Sequence, residues 1–181
     1  MSRTPVREAT LMLAAQGLLE VRPRKGVRIA AISTKDMHEI YEVLTELECL
    51  SVTRAAEAGY STGDLKRLNT CIEDMVTALA AEDRTDWAAA DEAFHAELIE
   101  LGGNSRVKAI AQTFNDQVRR ARNLTLLMRP LPTKSNDDHR QVYDAILSGD
   151  ADRARAIHEK HRSASRTLLT SLLEQNGLRR I

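Results

Sequence analysis

Apolar residues within 36–57 fall at Ile40, Val43, Leu44, Leu47, Leu50 and Val52, the three- and four-residue spacing of a helix with one apolar face, and Gly59 closes the run. Ser33-Thr34-Lys35-Asp36 ahead of it supplies hydroxyl and carboxylate groups for an N-cap. The spacing returns after Ser61 at Leu65, Leu68, Ile72, Met75, Val76 and Leu79, and again at Val107, Ile110, Phe114, Val118 and Ala121. These stretches read as the core of a helical bundle. Between them a helix carrying Trp87, Phe94 and Leu98 stops at Gly102-Gly103, where a left-handed turn is easily made, and Asn104 is placed to cap its successor. Met128-Arg129-Pro130-Leu131-Pro132-Thr133 breaks the chain into a loop, and two last helices are split at Gly149-Asp150.

The first thirty or so residues have a different pattern. Ser2-Arg3-Thr4-Pro5 is the chemistry of a helix start, with apolar positions following at Val6, Ala9 and Leu13 before Gly17 ends the helix. Two short alternating segments, Leu19 to Arg22 and Val27 to Ala30, flank Pro23-Arg24-Lys25-Gly26 and predict a β-hairpin with a basic tip. A helix followed by a basic hairpin is the second half of a winged helix-turn-helix, whose helix enters the major groove while the hairpin touches the backbone or minor groove. Charge agrees with that reading. The whole chain is neutral, but residues 1–29 hold six basic residues against Glu8 and Glu20, a local net charge of +4.

Composition narrows the class further. With 43% apolar, 29% charged and only 3% aromatic residues, the chain has the make-up of a helix bundle. Its 181 residues suit one domain of ordinary size plus a small appendage. Cys49 and Cys71 lack CxxC spacing and read as core or surface residues of a protein kept in a reducing cytosol. No apolar run approaches the roughly 18 to 20 residues of a membrane span, and the N-terminus lacks the apolar middle of a signal peptide, so a cytoplasmic location without membrane contact is expected.

Polar side chains on the apolar faces carry the candidate chemistry. Asp91 and His95 lie four residues apart on the face of Trp87, Phe94 and Leu98. An ionised carboxylate there costs several kcal/mol unless it is paired or bound to a metal. On the next-to-last helix His139 shares a stripe with Val142 and Ile146. On the last, His161 follows Ala154, Ile157, Ala164 and Leu168, whereas His158 falls in line with Arg155, Arg162 and Ser165; His161 is therefore expected to point inward and His158 outward. Three neutral imidazoles and one carboxylate converging from three helices suit Zn²⁺, and also Ni²⁺, Mn²⁺ or Fe²⁺. The alternative is a hydrogen-bonded Asp/His couple and separate core histidines with local partners. Periodicity leaves both open.

Ser2-Arg3-Thr4-Pro5-Val6-Arg7-Glu8-Ala9, with Gly17-Leu18-Leu19-Glu20-Val21-Arg22-Pro23 and Gly26-Val27, closely resembles the recognition helix and wing of GntR-family bacterial transcription regulators. The resemblance implies DNA contacts by Arg3, Thr4 and Arg7. Two further helices precede this segment in the family, whereas this sequence starts on the recognition helix, so a partial winged helix-turn-helix over 1–32 is expected ahead of an effector domain over 33–181. Asp91-Glu92-Ala93-Phe94-His95 with Leu98 and Asn104, His139 four residues before Tyr143, Gly149-Asp150 and His161 resemble the FCD-type effector domain of the FadR-like branch. That implies an all-α, antiparallel bundle, a divalent metal held by Asp91, His95, His139 and His161, a small organic acid effector, operator DNA as partner, and a homodimer. At Leu44 the chain departs from a family Tyr-x-x-Arg-x-x-Leu-Glu pattern, which shifts the expected effector contacts to Arg119 or Arg122. The competing classes are a metal enzyme with Glu92 or Tyr143 as base, and a sensor that does not bind DNA.

Overall fold

The computed structural model describes residues 3–31 and 33–178, with Arg3 described by its backbone alone. Helix α1 (Arg3–Ala15) leads into strands β1 (Leu19–Arg22) and β2 (Gly26–Ile29), which pair antiparallel with Val21 opposite Val27. Among the described residues six helices follow: α2 (Thr34–Glu57), α3 (Lys66–Ala80), α4 (Arg84–Leu101), α5 (Ser105–Thr125), α6 (Thr133–Leu147) and α7 (Ala151–Gln175), with one 3-10 turn at Leu126–Met128. The chain is thus all-α apart from its hairpin, as its patterning predicts.

The helix ends follow local chemistry. Ser33 and Asp36 form a reciprocal capping box at the start of α2, Asp83 accepts from Thr85 and Asp86 at the start of α4, and Asn104 caps α5. Gly103, at φ +65°, makes the left-handed turn between α4 and α5. Gly102 has another task. A Cβ there would lie 2.6 Å from the Ser51 Cα, so the end of α4 meets the backbone of α2 only because this residue has no side chain, and Arg54 Nε donates to its carbonyl at 2.6 Å. Gly102→Ala is expected to cost about 1–3 kcal/mol through this overlap, read as a lowered urea midpoint with unchanged slope.

Two apolar clusters fill the bundle. One joins α3, α4 and α6 around Leu68, Phe94 and Ile146. The other joins α2, α5 and α7 around Tyr41, Leu44 and Leu169. The predicted core stripes were too wide: Val43, Leu50, Val76, Ile110 and Leu168 are all exposed by a third or more. On α2 the buried arc is instead set by Met37, Ile40, Tyr41, Leu44, Glu48 and Val52, a line that includes a carboxylate. Among the described residues no helix is long and apolar enough to cross a membrane.

Candidate metal centre

Asp91 and His95 on α4, His139 on α6 and His161 on α7 are all buried, and each offers one ligand atom within 4.8 Å of the others. Asp91 Oδ1 is 3.5 Å from His139 Nε2 and 3.8 Å from His95 Nε2. The phenyl ring of Phe94 backs His139 at 4.3 Å between centroids. Asp91 Oδ1, His95 Nε2, both nitrogens of His139 and His161 Nε2 make no hydrogen bond among the described residues. Buried polar atoms are normally paired. Four side chains leaving such atoms unpaired around one point form a donor set that a divalent cation satisfies.

The opposite edges of three of these four side chains are held. His95 Nδ1 lies 3.0 Å from Glu48 Oε2, His161 Nδ1 lies 3.5 Å from Asp138 Oδ2, and Arg122 Nη2 donates to Asp91 Oδ2. A carboxylate on the far nitrogen fixes a histidine's tautomer and turns its other nitrogen toward the ion. Burial by itself would raise the Asp91 carboxyl, but Arg122 and then the three histidines hold it well below the usual carboxylate range. Burial lowers His139, with the neighbouring His161 adding to it against Asp91, so its ring is neutral as a ligand must be.

The inward direction read for His161 holds; the outward one for His158 does not. His158 is fully buried, and its Nε2 lies 2.8 Å from Glu48 Oε2. Arg162, one turn further along the same stripe, is buried too, 3.4 Å from that oxygen and with its guanidinium 4.7 Å over the Tyr41 ring. The stripe turns toward α2, which faces it with acids in register: Glu48 meets His158 and Arg162 in the buried middle, while at the partly exposed ends Glu46 meets Arg155 at 2.7 Å and Glu42 meets Arg166 at 3.8 Å. Glu48, Asp138, His158 and Arg162 thus border the candidate site and were missed by hydropathy. Spaced acids on α2 matching spaced bases on α7 were the available signal.

Burial lowers His158 to about 4, against the opposing hydrogen bond that its Nε2–H donates to Glu48. The folded state therefore binds that proton less readily than the unfolded chain, whose imidazole titrates near 6.5. Stability from this group is complete above about pH 6.5 and is lost as pH falls toward 4, by roughly 3 kcal/mol. The metal-free protein should melt progressively lower across that window, and His158→Gln should flatten the slope.

The two arginines proposed for ligand binding differ. Arg122 is largely buried between Asp91 and two cavities flanking the centre. Arg119 is half exposed and pairs with Asp116 at 2.6 Å and Glu92 at 3.4 Å. Thr4 and Arg7 lie exposed on α1, and the side chain of Arg3 lies outside the described residues.

Residues 39–164 match the FCD domain, and residues 1–29 match the bacterial regulatory proteins of the gntR family. An HTH-type transcriptional regulator in the TAR-I ttuE-ttuC' intergenic region of Agrobacterium vitis is 44% identical over 55% of this chain and 59% of its own length. This chain therefore covers less than two thirds of that relative. Escherichia coli McbR/YncC shares the fold at TM-score 0.82, with 18% identity over 94% of this chain and 86% of that one. The metal-free FCD domain of TM0439 is similar at TM-score 0.65, with 20% identity over 81% of this chain and 99% of that one. The chain belongs to the FCD-domain family, with a gntR-family segment preceding the helices that carry the match.

Proposed function

We propose that this chain is a cytoplasmic, ligand-responsive transcription regulator in which the bundle, over 33–181, binds a divalent metal and a small organic acid. In this reading Asp91, His95, His139 and His161 hold the ion, with Zn²⁺ the best match and Ni²⁺, Mn²⁺ and Fe²⁺ alternatives. The observation that carries it is the convergence of buried atoms without hydrogen-bond partners on those four side chains. When bound, the ion supplies a positive charge that an effector carboxylate can approach. The chain's own residues hold the ligand rings, orient the acid and keep the centre dry.

The segment over 1–32 is assigned to operator DNA, with Arg3, Thr4 and Arg7 on the contacting helix. Helix α5 connects the two parts. Its Arg122 grips Asp91, while Gln117 Nε2 donates to the Gln16 carbonyl at 3.0 Å and Arg120 Nη1 to the Ala30 carbonyl at 2.6 Å. A shift of α5 on effector binding would reach the hairpin through those bonds. A homodimer fits paired half-sites and would cover exposed apolar residues such as Val43, Leu50 and Ile110. An enzyme is disfavoured because the Agrobacterium relative is a regulator and Glu92, one candidate base, is engaged at the surface with Arg119.

Elemental analysis of purified protein should find about one divalent ion per chain. His139→Ala and His161→Ala should each abolish it while leaving helical circular dichroism in place. Full occupancy in both variants would refute the ligand set. Operator binding that weakens steeply with salt would support the assignment of the basic segment.

A further inference from the structure

Among the described residues two buried groups of side chains sit close enough to hold a cation, and they share His95. Asp91, His95, His139 and His161 form the first, and Glu48, His95 and His158 the second, with ligand atoms within 4.8 Å of one another in each. The two differ in what their facing atoms do. In the first, Asp91 Oδ1, His95 Nε2 and His161 Nε2 make no hydrogen bond among the described residues. In the second, the facing atoms are already paired, Glu48 Oε2 lying 3.0 Å from His95 Nδ1 and 2.8 Å from His158 Nε2. Arg162 also stands 3.4 Å from that oxygen, its guanidinium 4.7 Å over the Tyr41 ring, so an ion in the second group would meet a buried positive charge. The second group is therefore a hydrogen-bonded frame for the first.

Proton positions follow from the acid in its middle. Burial alone would raise the Glu48 carboxyl, but Arg162 and then His95 hold it well below the usual range, so it is ionised and only accepts. Both ring nitrogens that face it therefore donate. A neutral His95 with its proton on Nδ1 has a bare Nε2, and that is the nitrogen 3.8 Å from Asp91 Oδ1 in the first group. The bond to Glu48 thus decides which nitrogen His95 offers to an ion.

Arg162 competes for that carboxylate. A guanidinium fork matches a carboxylate with two charge-assisted bonds, yet Arg162 Nε makes no hydrogen bond among the described residues. His158, fully buried one turn before Arg162 on α7, donates to the same oxygen that His95 uses. Its bond pins that oxygen between two rings from different helices and leaves Arg162 with charge attraction. We infer that His158 is a positioning residue for the metal centre: by holding Glu48 Oε2 it keeps Glu48 on His95 Nδ1 and so turns His95 Nε2 toward the ion. The inference rests on the metal centre proposed above, to which it adds a residue that itself ligates nothing. Helix α7 serves the ion twice, through His161 as a ligand and through His158 as the holder.

The test uses the full chain and Zn²⁺, with affinity read by competition against a chromophoric chelator and the His95 tautomer read from ring ¹⁵N shifts of the metal-free protein at neutral pH. The original should take up about one ion per chain and carry the His95 proton on Nδ1. His158→Leu, which fills the space without a donor, should bind the ion about tenfold more weakly at unchanged stoichiometry, and its His95 should lose the fixed tautomer. His158→Gln, whose amide offers an N–H near the position of Nε2, should recover most of the affinity and the tautomer. Unchanged affinity in His158→Leu overturns the inference alone, as does an unchanged His95 tautomer there, or a His158→Gln chain as weak as His158→Leu. An Nε2–H tautomer in the original overturns it without any variant. Two ions per original chain falling to one in His158→Leu would make His158 a ligand and overturn it as well. An original chain that takes up no zinc overturns the metal centre itself, and this inference with it.

Discussion

Glu48→Ala should destabilise the metal-free protein by about 3–5 kcal/mol, because it removes the carboxylate from a buried cluster and leaves Arg162 as an uncompensated buried charge. Three groups depend on Glu48: His95 and His158 through ring nitrogens and Arg162 through charge. Burial alone would raise its carboxyl, yet Arg162 first, then His95 and His158, hold it well below the usual range, so the negative form belongs to the fold. At roughly 2–4 °C per kcal/mol for a chain of this size, the melting temperature should fall by roughly 6–20 °C. Metal affinity should fall too, by about 10–100-fold, since the His95 ring would lose the group that orients it. Glu48→Gln, which keeps an acceptor but no charge, should lie between. A melting curve for Glu48→Ala that overlays the original would mean the cluster carries no net stability.

Removing the metal is the second large effect. An ion that binds the folded chain alone adds about 4 kcal/mol once its free concentration is a thousandfold above its dissociation constant. Chelation should therefore lower the melting temperature by roughly 8–16 °C, and re-addition of Zn²⁺ should restore it. His139→Ala should melt at the same temperature with and without chelator. Acid should act in the same direction, because protonated imidazoles cannot ligate. A chelator-insensitive original chain would show that the centre contributes nothing to the folded state.

Much of this was legible in the sequence where one residue type had one physical role. Asn104 and Ser33 cap helices because a short polar side chain ahead of an apolar repeat has little else to do there. Asp91, His95, His139 and His161 could be placed inward because each sits on a stripe of aliphatic or aromatic neighbours. His158 and Arg162 could not, since their stripe is polar and only the partner helix decides whether a polar stripe is solvated or paired. Leu44 shows the same limit from the other side. Its lack of charge is plain in the sequence, but the buried guanidinium of Arg162 packed on the same face lies 118 residues further along and becomes visible only when Tyr41, Glu48 and Arg162 are seen together.

Val43, Leu50 and Ile110 failed as core for a related reason. An apolar repeat defines a face, but the arc actually covered depends on which neighbours pack against it. In α2 that arc is centred on Tyr41, Leu44 and Glu48, which turns Val43 and Leu50 toward the outside.

The most direct test is diffraction from crystals grown with Zn²⁺, with anomalous data collected on both sides of the zinc absorption edge. The account predicts one strong peak per chain, within bonding distance of Asp91, His95, His139 and His161 together. A peak that touches fewer than three of them, or no peak at that position at full zinc occupancy, would contradict it.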